Sequence, residues 1–160
     1  MNTTAVKTLG VFVRVQGGVY VAGLAVVEDN VLIREDRFPA PPDEDLPRQL
    51  AELHAHTRDT IAHYEVGAVA LKESEIRGGT REASIARRAE GAALAAAGET
   101  RELPVSTWLG ASMWRHAGFD QRPSNTEVIA ALADPLQPQP TSDETRQAAA
   151  AARTAILAQG

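Results

Sequence analysis

A chain of 160 residues, with 44% hydrophobic and 23% charged side chains, is long enough for one domain with a substantial core. Its net charge of −5 excludes a strongly basic nucleic-acid coat, although a local basic patch remains open. The absence of cysteine excludes disulfides, thiolate zinc sites and cysteine nucleophiles.

The first part of the chain reads as strands. Thr8 to Phe38 is rich in Val, Ile and Phe and is broken only at Gly17-Gly18 and Asp29-Asn30. Breaks this short join antiparallel neighbours, because a parallel return needs a longer crossover. A three-stranded meander is expected. The Pro- and acid-rich stretch from Pro39 to Pro47 is a loop leading into a helix. Leu46, Leu50, Leu53, Thr57, Ile61 and Tyr64 recur there at spacings of three and four and mark one buried stripe.

The second part alternates. Val66 to Leu71 is short and continuously apolar, as in a strand covered on both faces. Thr80 is a suitable N-cap for a helix reaching about Ala97. Its small-residue face is Ile85, Ala89, Ala92, Ala93 and Ala96, and Gly98 is placed to end it. Leu103 to Trp108 gives a fifth strand, and a short helix closed by Gly118 follows. Ser124 with Glu127, and Thr141 with Glu144, have capping-box spacing and open two final helices. Pro135 to Pro140 is a stiff connector between them. The order β-β-β-α-β-α-β-α-α-α predicts one α/β domain over residues 1–160, with a mixed five-stranded sheet and helices on both faces.

This order, together with "LGVFVRVQGG" (Leu9 to Gly18), "AVALKES" (Ala68 to Ser74), "SNTEVIAAL" (Ser124 to Leu132) and "DETRQAAAAARTAI" (Asp143 to Ile156), resembles the RuvC-like branch of the RNase H-like fold. The resemblance implies three antiparallel strands followed by two parallel ones. It also implies a site at the strand ends where carboxylates hold two magnesium ions for phosphodiester cleavage. The positions where those carboxylates are expected fall on Arg14, Lys72 and Gln147. Mg²⁺ needs hard anionic oxygens. At ~4 Å and an effective dielectric near 20, each fixed cation repels a divalent ion by several kcal/mol. A two-metal site at these positions is not expected, and no cofactor is. Strand-end residues reaching solvent, or a salt-bridge cluster with Glu73, Glu75 or Asp143, would also account for the two cations. A cationic pocket for a phosphate or carboxylate is the functional alternative.

Other features are weaker. Arg77, Arg81, Arg87 and Arg88 surround the loop and helix after the fourth strand, where the resemblance implies an approaching phosphate backbone. Glu75, Glu82 and Glu90 interleave with them and favour a solvated helix face. Trp108, Met113, Trp114 and Phe119 concentrate large apolar side chains in one short segment. Core packing explains them, and an interface anchor is the alternative. His54, His56, His63 and His116 share no chelating spacing. The Ala-rich last helix leaves room for a homodimer contact.

No stretch approaches the roughly 20 apolar residues of a membrane helix, and no basic and apolar leader opens the chain. A cytoplasmic protein is expected. The reading is a non-catalytic RuvC-like binding or assembly domain, with nucleic acid or protein as its partner. The alternatives are a Mg- or Mn-dependent nuclease with relocated carboxylates (Glu73, Glu75 or Asp143) and a dimeric structural protein with an empty cleft.

Overall fold

Two glycines start the sheet. Gly17 and Gly18 both have positive φ (62° and 78°), the two-residue turn whose twist matches antiparallel strands. They join β1 (Thr8–Gln16) to β2 (Val19–Glu28), and Asp29, at φ 52°, turns β2 into β3 (Val31–Pro39). The computed structural model describes residues 5–76, 79–100 and 102–159.

After β3 the chain forms α1 (Leu46–His63), β4 (Ala68–Lys72), α2 (Arg81–Thr100) and β5 (Val105–Trp108). A short α3 (Gly110–Met113) runs into a single 3-10 turn, followed by α4 (Asn125–Ala133) and α5 (Asp143–Ala158). The sheet order is β3-β2-β1-β4-β5. The β1–β2 and β2–β3 pairs are antiparallel, and the β1–β4 and β4–β5 pairs are parallel, as expected from the chain's order.

Alternation along β1 divides the core. Leu9, Val11, Val13 and Val15 face α1 and α2, where they meet Leu53, Ile61 and the alanines of α2. Phe12 faces the other way, against Ala148, Ala149 and Ala152 of α5. On β4, Val69 and Leu71 join the first layer, and Ala70 meets Ala151 and Ala155 in the second.

Helix α5 lies on the sheet at backbone distance. A side chain on Gly10 would run into the backbone of Ala148, and one on Gly23 into the backbone of Glu144. The run Ala148 to Ala152 is therefore wholly buried within the chain, between the sheet and α4. These alanines offer no surface to a second copy. Of the exposed large apolar residues, α5 contributes Leu157.

Three local expectations change. The N-cap of α5 is Ser142, which exchanges hydrogen bonds with Thr145, rather than Thr141 with Glu144. Thr141 instead donates its N–H and hydroxyl to Glu35, and Glu144 pairs with Arg37 at 3.0 Å. Helix α2 passes through Gly98 to Thr100, because Gly98 does not take the left-handed conformation of a C-cap glycine. The Pro135–Pro140 connector also extends the sheet edge. Gln137 bridges Val31, and Leu136 is fully buried. Among the described residues, no helix is long and apolar enough to cross a membrane.

Candidate functional site

Parallel strands leave their carboxyl ends free, and ligand clefts form beside such ends. Here β1 and β4 run parallel, with Phe12 directly paired to Lys72, the last residue of β4. Arg14, two residues further along β1, turns to the same face. A cleft of about 290 Å³ opens above Phe12 and Lys72. Phe12 and Lys72 form its floor, and Glu75 comes from the loop after β4. Asn125 opens α4, while Asp143 and Gln147 lie on the first two turns of α5. Gly110 closes the gap between these segments. A side chain there would come within 2.9 Å of Asn125 Oδ1 and Glu75 Oε1.

Arg14 and Gln147 both converge on Asp143. The Arg14 guanidinium pairs with Asp143 Oδ2, and Gln147 Nε2 donates to the same oxygen at 3.1 Å. Arg146, also lining the cleft, is held by Asp134 at 2.8 Å. Asn125 Nδ2 reaches both Glu75 oxygens at 3.4 Å.

Lys72 is different. It is 4% exposed. Among the described residues, no carboxylate lies within ion-pair distance of its ammonium. Its Nζ lies 5.0 Å from the centre of the Phe12 ring, whose electron-rich face takes the place of a counter-ion. Burial pushes the Lys72 ammonium below its ordinary pKa, opposed by the charge of Glu75 and reinforced by that of Arg14. The salt-bridge cluster considered from sequence therefore forms around Asp143 and leaves Lys72 out. Among the described residues, no group of three His, Cys, Asp or Glu side chains is placed to hold a metal ion.

The described arginines after β4 separate. Arg87 is a structural clamp, bonded to Glu90 at 2.7 Å and to the carbonyls of Ser74 and Ile76. Arg81 and Arg88 line a different groove together with Glu44 and Asp45, which offset their charge. Arg77 lies outside the described residues.

In the aromatic segment, Met113 is wholly buried among Val128, Ile129 and Leu132, so it is a core residue rather than an interface contact. Trp108 and Trp114 pack against that cluster while half-buried, and Phe119 is half-buried at the exit. The exposed apolar positions nearby are Val105 and Leu109. The histidines make local contacts. His56 stacks on Phe38, His63 meets Tyr64 and His116 meets Trp108 edge to face, and His54 meets Glu99.

Sequence reading missed Phe12 and Asn125. Phe12 was legible in principle, since it shares the Gly10 and Arg14 face of β1 and is the only aromatic residue in that strand. Asn125 carried no signal beyond its place after the Ser124 cap.

A sheet of order 3-2-1-4-5 with this mixture of directions, α5 on one face and α1 and α2 on the other, is an RNase H-like fold of the RuvC type. Solved structures with this fold are close in shape. Thermus thermophilus RuvC superposes with a TM-score of 0.77 at 20% identity, covering 96% of this chain and 95% of that one. T. thermophilus RuvC in complex with Holliday junction substrate gives 0.77 at 21% identity, with the same coverage. The yeast mitochondrial Holliday junction resolvase Ydc2 gives 0.63 at 13% identity, over 99% of this chain and 81% of that one. No family model and no curated protein sequence matches the chain.

Proposed function

We propose that this chain is a non-catalytic RuvC-like domain that binds nucleic acid without cutting it. The observation that carries the reading is the chemistry at the β4 tip. A buried ammonium, Lys72, stands beside a phenyl ring, Phe12, at the floor of the cleft. A divalent ion would need several hard oxygens there, and it would meet the repulsion of Lys72 instead. Of the two carboxylates lining the cleft, Asp143 is already engaged by Arg14 and Gln147.

Nucleic acid is the partner favoured by the fold, since a solved structure of the same shape is RuvC in complex with a Holliday junction substrate. The cations beside the cleft, Arg14 and Arg146, and Lys72 at its floor suit an approaching phosphate backbone. The net charge of −5 requires the contact to be local. The test is binding of four-way, duplex and single-stranded oligonucleotides across a salt series. The expected result is a complex that weakens steeply as salt rises from about 50 to 200 mM, with every strand intact. No complex with any of them at the lowest salt would contradict nucleic-acid binding.

One observation favours a second reading. Glu75 and Asp143 open into the same cleft, so a nuclease with relocated ligands would place its metal between them. Manganese-dependent cleavage that disappears in Asp143→Asn would establish this reading and overturn the first.

A further inference from the structure

We propose that the cleft takes up a single guanine base, with Lys72 donating to its O6 and Glu75 accepting from its N1 and N2. The base has two sources. One is a guanine turned out of a nucleic-acid strand, and that source rests on the nucleic-acid reading above. The other is a free guanine nucleoside or nucleotide, which does not need that reading.

The floor of the cleft holds a donor without an acceptor. Lys72 is 4% exposed, and among the described residues its ammonium has neither a hydrogen-bond nor an ion-pair partner. The Phe12 ring steadies the charge but has no lone pair for the three N–H donors. A buried donor left unmade is costly, and Nζ is not sealed off from the cleft it lines. A ligand that brings an oxygen to the floor removes that cost.

Glu75 makes the opposite demand. Asn125 Nδ2 reaches both of its oxygens at 3.4 Å, the outer limit of a hydrogen bond, so both can accept shorter ones. A bare phosphate would satisfy Lys72 and be repelled by Glu75 and Asp143. A neutral edge with an acceptor beside donors satisfies both ends. Glu75 acts on Lys72 through its charge yet lies outside ion-pair distance, which leaves room for such an edge between them. Among the bases, guanine alone sets a carbonyl oxygen beside two adjacent N–H donors, and a carboxylate takes that donor pair with its two oxygens. Thymine has one N–H between two carbonyls, and cytosine and adenine have a bare ring nitrogen beside their amine. Phe12, Val128 and Ile129 give the ring apolar walls, and about 290 Å³ suits one ring system rather than an extended chain. Gly110 keeps the space open, since a side chain there would come within 2.9 Å of Glu75 Oε1. The charge of Lys72 still adds to the field that draws the phosphates toward Arg14 and Arg146.

The test uses the full chain in two arms. The first measures affinity, at about 50 mM salt, for duplex oligonucleotides that differ in one bulged nucleotide: guanine, adenine, cytosine, thymine, hypoxanthine or 2-aminopurine. Hypoxanthine lacks the N2 amine, and 2-aminopurine lacks O6. The guanine bulge is expected to bind at least about tenfold tighter than each of the others, because a site built for a hydrogen bond rejects an analogue that lacks it. Lys72→Met should bring guanine down to the level of 2-aminopurine, and Glu75→Gln to the level of hypoxanthine. The second arm titrates guanosine and adenosine calorimetrically. Guanosine bound in preference to adenosine, with no preference among the bulges, would support the proposal with the free nucleoside as its source. No preference for guanine in either arm would overturn the proposal. The nucleic-acid reading fails separately, when no oligonucleotide binds at all. None of these outcomes depends on a variant folding.

Discussion

Phe12 and Lys72 are paired neighbours in the parallel β1–β4 register, and the Lys72 Nζ lies 5.0 Å from the centre of the Phe12 ring. The ring does two jobs. It fills the space beneath α5 with Ala148, Ala149 and Ala152, and it gives a buried cation an electron-rich face. Phe12→Leu keeps most of the volume and loses the face. It should lower stability by about 1–2 kcal/mol in urea unfolding. A change within experimental error would show that the ring does not support Lys72.

The pH dependence of stability follows from the same lysine. Its proton affinity is lower in the folded chain than in the unfolded one. Between the lowered value and the ordinary value of 10.5, the unfolded state binds more protons, so this group's contribution to stability rises with pH. Below that window the buried ammonium is a constant cost. Lys72→Met has similar length and no charge, so it should be neutral or stabilising at pH 7. Its advantage over the parent should shrink as pH rises toward 10. Unfolding curves of both proteins at pH 7, 8.5 and 10 would check this, and a pH-independent difference would contradict it.

Contact between α5 and the sheet predicts opposite outcomes at two glycines. Gly10→Ala would drive a methyl group into the Ala148 backbone and should cost at least about 2 kcal/mol. Gly91 sits exposed on α2, and a methyl group added there would meet nothing within 4 Å. Gly91→Ala should therefore stabilise by about 0.5–1 kcal/mol. Thermal unfolding of the two variants against the parent would read both signs.

Much of the fold was legible because local chemistry and global topology agree. Gly17-Gly18 and Asp29-Asn30 favour tight reversals, and the apolar run Val66 to Leu71 overlaps the buried strand β4. The misread boundaries lie where a distant partner decides. Thr141 looks like a cap until Glu35, more than a hundred residues away, takes its hydroxyl and leaves Ser142 at the cap position. Gly98 looks like a helix stop, but a glycine in a helical conformation leaves no mark in the sequence. Arg87 reads as a free cation, and its role depends on the carbonyls of Ser74 and Ile76, which become available only once the loop folds back.

The candidate site was legible in outline only. The face of β1 that carries Arg14 follows from alternation, and the convergence of Arg14 and Gln147 on Asp143 agrees with both belonging to one site. The parallel register, which no local signal fixes, determines that Phe12 rather than Arg14 is the strand neighbour of Lys72. That pairing turns a surface-like lysine into a buried one.

The most direct test of the central claim is cleavage of four-way and single-stranded DNA in millimolar Mg²⁺ or Mn²⁺, with thermal unfolding measured in the same buffers. A non-catalytic domain predicts intact strands and an unchanged melting temperature with either metal. Metal-dependent cleavage, accompanied by the rise in stability expected of a ligand that binds only the folded state, would contradict it.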